Sequence, residues 1–487
     1  MSLLEDSTWH GRIFDGNWIR GSGQDIDAVE PATGKTLATV GSATPDDLRV
    51  SARAAAQAQG SWAELPHTER SGVLRRAARL FEEHQEEIET WLVRESGCIP
   101  PFATIQTIGG GAEECHEAAA LSSAPYGELL RSGQPRLSLS RRLPVGVVGV
   151  IAPFNAPMVL AIRAVAPALA LGNAVILKPD PRTAVCGGVV IARIFEEAGL
   201  PAGLLHLLPG GADVGAALVE DPHVPVIAFT GSTRAGRAIA AAAAKHLKRV
   251  HLELGGNSAL VILDDVDLEQ AASVGAFGAF HHAGQICMAS GRHLVAASIA
   301  DDYAALLAEH ADALPVGDPA TGQVAVGPII DAGQRDHVHG VVMDSVGAGA
   351  TLAAGGTFEE LFYRPTVLTG VPLTARAYAE EVFGPVAPVV PFLDLDEAAQ
   401  LASDTPYGLS LGILTRDVMK GLELAAKIPS GLVHINDQTV NDEATIPFGG
   451  VGSSGTGSRH GGPAANLDAF TEVQWVTVRG DLPHYPF

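Results

Sequence analysis

The feature that most restricts the fold of this chain is a regular alternation of strand-like and helix-like segments between residues 143 and 254. Strands that alternate with helices are typical of βαβ units, which build a parallel sheet with helices on both faces. The predicted strands are residues 145–151, 174–178, 204–208, 226–230 and 250–254. The predicted helices are residues 157–171, 183–197, 214–220 and 234–246, with Asp213 as the N-cap of the third. The predicted fold class is therefore α/β.

Polar or small residues follow the ends of four of these strands. Asn155, Lys178, Gly231 and Glu253 lie at or just beyond the predicted ends. Ligands of parallel sheets bind outside the carboxyl ends of the strands, where the connecting loops meet. We therefore expect these four residues to border one cleft.

One cysteine stands in a loop of a second α/β unit, which begins near residue 264. Cys287 follows a Gly-Gln turn, between a predicted helix at residues 268–282 and a predicted strand at 293–297. Such a loop can present a nucleophile to a cleft if its surroundings lower the thiol pKa from roughly 8.5. The alternative interpretation is a small buried apolar side chain.

The composition argues against several classes of partner. The net charge of −23 disfavours nucleic acids and anionic membranes, which require a basic face. The four cysteines are far apart, so we expect neither a disulfide framework nor a metal site, and a reducing compartment suits them. The first residues show no basic region followed by an apolar run, which predicts a cytoplasmic protein without a secretion signal. The length of 487 residues suffices for two or three domains.

Segments outside the βαβ region predict further helices and two exposed strands. A helix should begin with Thr44 as N-cap and Pro45 at its first position, and should run to about residue 60. Further predicted helices are one or two at residues 67–93 and one at 101–122. Two segments, 137–140 and 469–478, alternate apolar and polar side chains, which is typical of strands with one exposed face.

Three motifs together resemble the aldehyde dehydrogenase superfamily. Residues 153–157 read Pro-Phe-Asn-Ala-Pro, residues 253–257 read Glu-Leu-Gly-Gly-Asn, and residues 284–287 read Gly-Gln-Ile-Cys. Their order and spacing are similar to those of the family, and the resemblance covers nearly the whole chain. It implies a Rossmann-type NAD(P)-binding domain at 1–123 and 145–254, an α/β catalytic domain at 255–463, and a small β oligomerisation arm and tail at 124–144 and 464–487.

The resemblance implies oxidation of an aldehyde through a covalent thioester. Cys287 would attack the carbonyl carbon to form a thiohemiacetal, and Asn155 with the backbone N–H of Cys287 would hold the oxyanion. Glu253 would be the general base that activates water to hydrolyse the thioester. Taken singly, Asn155 is better explained as a turn residue before Pro157. The alternative for Glu253 is an ordinary polar residue at a strand end, which a following Gly-Gly makes less frequent.

The cofactor site lacks the Gly-x-Gly-x-x-Gly pattern that commonly follows a strand. Instead, a glycine turn at residues 229–236 connects a strand to a helix whose start can face a phosphate, and it is similar to the Gly-x-x-x-x-Gly turn of the family. The resemblance assigns Lys178 to the adenosine ribose, Glu381 to the nicotinamide ribose and Phe383 to the nicotinamide. The full set of expected cofactor residues is Ile151, Phe154, Lys178, Thr230, Gly231, Ser232, Gly236, Leu254, Glu381 and Phe383.

One departure from the family pattern bears on the choice of cofactor. The family commonly has a glutamate three residues after the lysine, where it binds ribose hydroxyls and favours NAD. This chain has Pro181 there, between Asp180 and Arg182. Asp180 replaces that glutamate in one interpretation, and Arg182 accepts the 2′-phosphate of NADP in the other. NAD is the expected cofactor and NADP the alternative.

Two segments, at residues 433–443 and 177–181, resemble the benzaldehyde, vanillin and salicylaldehyde dehydrogenase branch of the family. The residues on either side of Cys287 are Ile286 and Met288, which suit an apolar substrate. The expected partner is therefore a small aromatic aldehyde. The family resemblance also implies a homodimer or a homotetramer.

Other interpretations remain open at this point. An aliphatic aldehyde dehydrogenase would keep the chemistry, whereas a coenzyme A-acylating enzyme would need no water-activating base at Glu253. A catalytically silent structural relative is a third possibility. A thiol hydrolase that pairs Cys287 with His281 or His282 would need no nicotinamide.

Overall fold

The computed structural model describes residues 2–487, and its first sheet has seven strands. In spatial order they are β11 (Arg249–Glu253), β10 (Val226–Thr230), β7 (Val147–Ile151), β8 (Ala174–Lys178), β9 (Leu205–Leu207), β1 (Arg12–Phe14) and β2 (Trp18–Arg20). The strands from β11 to β9 are parallel, and β1 and β2 add an antiparallel edge. The strands predicted from the alternating pattern are confirmed, with ends that move by one or two residues.

Helices accompany this sheet along the first half of the chain. They are α1 (Asp6–Trp9), α2 (Pro45–Glu64), α3 (His67–Glu83), α4 (Gln85–Ser96), α5 (Pro100–Thr104), α6 (Glu113–Leu121), α7 (Pro157–Ala170), α8 (Val190–Glu197), α9 (Ala212–Glu220) and α10 (Thr233–Ala244). Thr44 caps α2 as predicted, because its side chain accepts from the backbone N–H of Asp47 while the Asp47 carboxylate accepts from the N–H of Thr44.

Three details of these helices differ from the sequence prediction. The helix predicted at 183–197 is π-helical over Val185–Val189, and its α-helical part, α8, begins only at Val190. Asp213 is not an N-cap: α9 begins two residues earlier than predicted, at Ala212, and Gly211 precedes it without a side-chain cap. Asp213 lies instead in the first turn, where its charge suits the helix dipole. The helix predicted at 101–122 contains a π-helical segment, Ile105–Ala112. A Cβ on its Gly110 would lie 2.7 Å from the Cβ of Val159, so the glycine permits close packing on α7.

The second sheet also has seven strands, and all its pairs are parallel except β14 with β17. In spatial order they are β14 (Thr351–Ala354), β17 (Thr366–Thr369), β18 (Val386–Phe392), β13 (Arg292–Ala296), β12 (Ala259–Ile262), β19 (Ser410–Leu414) and β20 (Leu432–Ile435). Its helices are α11 (Leu268–Phe280), α12 (Ala300–Ala313), α13 (Ala332–Gly347), α14 (Arg376–Ala379), α15 (Leu395–Ser403) and α16 (Val418–Ala425). Helix α11 ends two residues before its predicted end at His282.

A third, three-stranded antiparallel sheet forms the predicted arm. It consists of β21 (Thr471–Val478), β6 (Leu137–Pro144) and β5 (Gly127–Leu130), with β6 in the centre. The remaining elements are α17 (Pro463–Phe470) and the hairpins β3 (Ile26–Val29) with β4 (Thr36–Val40) and β15 (Phe358–Glu359) with β16 (Phe362–Tyr363). The mixed α/β fold with a small β arm is therefore confirmed.

Each large sheet has its own apolar core. Phe448, Ala469 and Phe470, from the C-terminal part of the chain, pack into the first core. The predicted domain boundaries stay a prediction, and this packing shows that the C-terminal segment returns to the first sheet. Among residues 2–487, no helix is both long and apolar enough to cross a bilayer.

Candidate active site

Two neighbouring cavities share a wall at the junction of the two large sheets. One has a volume of about 560 Å³ and the other about 510 Å³. Asn155, Leu160 and Cys287 line both cavities. Cys287 can therefore be reached from both sides, as a nucleophile between a cofactor and a substrate must be.

The loop that carries Cys287 is held by its neighbours in a strained conformation. His282, Ala283 and Gly284 all have positive φ angles, which are unusual for the two residues that bear a Cβ. Gln285 is fully buried, and its side-chain oxygen accepts from the N–H of Ile330 at 2.9 Å. These constraints reverse the chain after α11 and fix the thiol at the shared wall.

Gly256 is required for the approach of this loop to the end of the first sheet. A Cβ at this position would lie 2.3 Å from the carbonyl oxygen of Cys287. Gly255 is equally tight, because its Cβ would lie 2.0 Å from a carboxylate oxygen of Glu381. The two glycines of the 253–257 motif thus let three segments meet.

The environment of Cys287 favours the neutral thiol. Burial raises the pKa of the thiol, and the carboxylates of Glu381, Glu253 and Asp442 raise it further. The backbone N–H of Cys287 donates to no other residue in the part of the chain that the structure describes, and it lowers the pKa of its own thiol, against the effect of burial. That N–H is consequently available to a ligand.

Asn155 stands beside the thiol and is 5% exposed. Its side-chain amide donates one hydrogen bond, of 2.8 Å, to the carbonyl oxygen of Gln285. This bond fixes the orientation of the amide, and the second N–H of the amide remains for another acceptor.

Glu253, the last residue of β11, presents a buried carboxylate to the larger cavity. Neither of its oxygens has a hydrogen-bond partner within residues 2–487. Burial raises the pKa of Glu253 well above its usual range, although Arg459 and Arg163 act in the opposite direction. A carboxylate in such surroundings is a stronger base than one in water.

Nine of the ten expected cofactor residues line the larger cavity. They are Ile151, Phe154, Lys178, Thr230, Gly231, Ser232, Leu254, Glu381 and Phe383. The exception is Gly236, whose Cβ would lie 2.4 Å from a methyl carbon of Leu254. Gly236 therefore allows α10 to pack closely on Leu254 and does not itself line the cavity.

The start of α10 faces this cavity. Ser232 is its N-cap and accepts from the N–H of Ala235, and Gly231 and Ser232 both line the cavity wall. The N-terminus of a twelve-residue helix supplies free N–H groups and a positive dipole end, which suit a phosphate. The ammonium of Lys178 lies in the same wall, largely buried.

The opposite end of the cavity carries Glu381 and Phe383. A carboxylate oxygen of Glu381 accepts from the N–H of Gly256 at 3.0 Å, and burial raises the pKa of Glu381 to about 7. Phe383 adopts a positive φ of 52° and meets Phe154 edge to face, with ring centroids 5.9 Å apart. The two aromatic rings form an apolar corner in the cavity that Cys287 also lines.

The structure also resolves the contacts of Arg182. Its guanidinium pairs with Asp180 at 2.9 Å and with Asp331 at 2.8 Å, and it lies 4.0 Å from the ring centre of Phe154. Arg182 is thus fully engaged, and the carboxylate of Asp180 lines the cavity beside Lys178. Both features disfavour a 2′-phosphate at this point.

The smaller cavity has a largely apolar, aromatic wall. Its aromatic and aliphatic members are Phe102, Ile105, Val159, Leu160, Phe277, Ile286, Met288, Val440 and Phe448. Sequence reasoning found Ile286 and Met288 but missed the three phenylalanines, which come from distant segments.

A buried ionic group closes one side of this cavity. Arg163 pairs with Glu114 at 2.9 Å and with Asp442 at 2.6 Å, and its guanidinium lies over the ring of Phe448. A charged residue inside an otherwise apolar helix was the only sequence signal for this group.

The comparisons with known proteins agree with this geometry. The profile of the aldehyde dehydrogenase family matches residues 18–476. The chain belongs to this family. It is 64% identical over 487 residues to a vanillin dehydrogenase of Amycolatopsis sp., covering 100% of both chains. It is 46% identical over 484 residues to the benzaldehyde dehydrogenase [NAD(+)] of Pseudomonas putida, covering 99% of both.

Solved structures of the same family have the same fold. A salicylaldehyde dehydrogenase from Pseudomonas putida G7, complexed with salicylaldehyde, matches with a TM-score of 0.94 and 35% identity, over 98% of this chain and 99% of that one. A betaine aldehyde dehydrogenase from Staphylococcus aureus, in complex with NAD+, matches with a TM-score of 0.95 and 29% identity, over 99% and 97%. The predicted family and fold are confirmed.

The arrangement of the two histidines argues against a thiol hydrolase in this member of the family. Neither His281 nor His282 hydrogen-bonds to Cys287, judged over all residues from 2 to 487. Burial lowers the pKa of His281 to about 4 and that of His282 to about 3, so neither provides an imidazolium to stabilise a thiolate.

The contact between Gly256 and the cysteine loop leads to a first prediction. The variant Gly256→Ala should lower the rate of aldehyde oxidation by roughly 10²-fold, because its Cβ displaces the backbone of Cys287 and such small displacements are costly. Steady-state kinetics with any good aldehyde substrate measures this. Gly340→Ala, on α13 with nothing within 4 Å of its Cβ, is the control and should retain activity. Equal activity of both variants would contradict the proposed fit.

Proposed function

We propose that this chain oxidises an aromatic aldehyde to the carboxylic acid with NAD as the cofactor. The observation that carries the proposal is the position of Cys287 and Asn155 in the wall between two cavities. One cavity holds the residues of the expected cofactor site, and the other has an aromatic lining. The vanillin, benzaldehyde and salicylaldehyde dehydrogenases among the relatives support the same reaction.

The first step is attack of the Cys287 sulfur on the aldehyde carbon to form a thiohemiacetal. The thiol must lose its proton in this step, because burial keeps it neutral in the resting protein. The proton passes to solvent, so the carboxyl group of Glu253, which has no hydrogen-bond partner among the described residues and a raised pKa, stays available for the later hydrolysis.

Two N–H groups suit the oxyanion that develops during the attack. One is the backbone N–H of Cys287, and the other is the second N–H of the Asn155 amide. Both are fixed before substrate binds, because the Cys287 loop is packed and Asn155 is anchored on Gln285. Loss of one such donor typically costs on the order of 10²–10³ in rate.

The larger cavity fits a dinucleotide. The start of α10 suits the pyrophosphate, Lys178 and Asp180 suit the adenosine ribose, and Glu381 suits the nicotinamide ribose. A bound nicotinamide would supply the hydride acceptor for the oxidation of the thiohemiacetal carbon. Phe154 and Phe383 supply the apolar surface that orients the ring and excludes water.

Glu253 then acts on the thioester that remains on Cys287. Its carboxylate takes a proton from water, and the resulting hydroxide attacks the thioester carbon and releases the acid. This role needs the ionised carboxylate, so the hydrolytic rate rises with pH through the raised pKa of Glu253. The same residue disfavours a coenzyme A-acylating enzyme, in which water has no part.

We also propose that the chain is a homodimer or homotetramer assembled through its β arm. Leu129, Val473 and Trp475 expose 76%, 63% and 62% of their surface on the three-stranded sheet, which leaves apolar area for a partner. The division into a cofactor domain, a catalytic domain and an arm, with the bounds expected from the sequence, belongs to the same proposal.

The reaction is tested by following cofactor reduction with benzaldehyde and with a straight-chain aldehyde, with NAD and NADP, and with and without coenzyme A. We expect fast turnover with benzaldehyde and NAD, and no requirement for coenzyme A. Turnover with the straight-chain aldehyde alone would contradict the aromatic assignment. A lack of turnover with every aldehyde would contradict the proposed reaction.

The role of Glu253 is tested by rapid mixing. Glu253→Gln should give a first-turnover burst of reduced cofactor, followed by a steady rate lowered by roughly 10²–10⁴-fold, because thioester hydrolysis has lost its base. Cys287→Ser serves as the comparison and should give no burst, because no thiohemiacetal forms. A steady rate in Glu253→Gln equal to that of the unmodified protein would exclude the assigned role.

The preference for NAD is tested at Asp180. Asp180→Ala should lower the ratio of kcat/KM for NAD to kcat/KM for NADP about tenfold. The substitution removes a negative charge that repels the 2′-phosphate, and it also releases Arg182 from its ion pair with Asp180. The matched control is Asp331→Asn, which weakens the other ion pair of Arg182 but retains the carboxylate of Asp180. An equal change in both variants would show that Arg182, rather than Asp180, sets the preference.

A further inference from the structure

One side chain in the aromatic cavity is polar but uncommitted. His281 lines the cavity together with Cys287. Its ring stacks on Phe277, with centroids 4.7 Å apart and planes at 11°, and meets Phe102 edge to face at 4.9 Å. Across the described residues, 2–487, its two ring nitrogens make no hydrogen bond. The ring is therefore held by its faces, while its polar edge is left for a ligand or solvent.

The local backbone explains this placement. His281 follows the last residue of α11, four residues after Phe277, so the two rings lie on one face of the helix end. The left-handed residues His282 and Ala283 then turn the chain towards Cys287. The imidazole and the thiol consequently face the same cavity from the two ends of one short turn.

His281 is neutral near pH 7, because burial lowers its pKa to about 4. A neutral imidazole offers one N–H donor and one nitrogen acceptor. It can thus pair with a hydroxyl group in either direction, or donate to a methoxy oxygen. Phe102 and Phe277 on either side provide only apolar surface.

Three charged side chains of the cavity, those of Arg163, Asp442 and Glu443, are less suited to bind a neutral oxygen substituent. Two nitrogens of Arg163 donate to Glu114, to Asp442 and to the carbonyl of Glu443, and the third is buried without a partner among the described residues. Asp442 and Glu443 are carboxylates and therefore accept but do not donate. His282, next in the chain, is buried and does not line the cavity.

We propose that His281 is a specificity-determining residue that hydrogen-bonds an oxygen substituent on the aromatic ring of the aldehyde. The chain would then favour hydroxy- and methoxybenzaldehydes over benzaldehyde itself. This inference rests on the proposed function and adds the substituent class to it. In the bound state the aldehyde carbon lies at Cys287 and the ring packs among the cavity phenylalanines, while the imidazole edge meets the substituent.

The test compares kcat/KM for benzaldehyde, the three hydroxybenzaldehydes and 4-hydroxy-3-methoxybenzaldehyde in the unmodified protein and in His281→Phe. Phenylalanine keeps an aromatic ring for the stack on Phe277 but has no polar atom. We expect a loss of at least tenfold for one or more oxygen-substituted aldehydes and a change of less than twofold for benzaldehyde. His281→Gln, which keeps a donor and an acceptor, should recover part of the loss.

Two control measurements separate recognition from packing. Phe277→Leu removes the stacking partner but retains the imidazole, so it should affect all five aldehydes to a similar degree. An equal loss for benzaldehyde and its derivatives in His281→Phe would make His281 a packing residue and overturn the inference. An unchanged preference in His281→Phe would overturn it as well. Failure of the unmodified protein to oxidise any of the five would instead refute the proposed function.

Discussion

The close approach of the backbone at residues 255 and 256 to Glu381 and Cys287 is the contact on which the site depends. It joins the end of a strand in the first sheet to two loops of the second α/β unit, and it leaves no room for a Cβ at either glycine. Because of this contact, the carboxyl group of Glu253 and the thiol of Cys287 face the same cavity although they belong to different units. The carboxyl ends of the parallel strands supply the remaining groups, as the topology of such sheets requires.

The second constraint is the burial of ionisable groups that lack enough hydrogen bonds or opposite charges to replace their hydration. Burial raises the pKa of Cys287, Glu253 and Glu381 together, which favours the protonated form of each group. For Glu381 the folded protein binds its proton more tightly than the unfolded chain, with a pKa of about 7 against 4.5. Its contribution to the free energy of unfolding therefore falls as the pH rises between these values. The folded protein is therefore less stable than it would be with apolar side chains at these positions. The ionisable groups that lower its stability are the ones that can react.

The sequence identified the reactive residues because each lies in a short, local motif with a chemical reason for its composition. Asn155, Glu253 and Cys287 meet as expected, although their catalytic roles stay predictions. The aromatic wall was not predictable, because Phe102, Phe277 and Phe448 come from three distant segments and meet only through tertiary packing. The prediction of Asp213 as an N-cap was wrong for a local reason, since the helix begins two residues earlier than predicted, after an extended glycine. The ion pairs that engage Arg182 likewise involve Asp331, far away in the chain.

The position of the last strand has a consequence for the order in which the protein can fold during synthesis. Strand β21 pairs along β6, more than three hundred residues earlier, and Arg249 at the start of β11 donates to the carbonyl oxygens of residues 468, 469 and 471. The arm and the edge of the first sheet therefore wait for the C-terminal segment to leave the ribosome. Contacts of such long sequence separation slow folding and leave strand edges open in the nascent chain. A chaperone that covers those edges would matter more for this protein than for one whose sheets close with neighbouring strands.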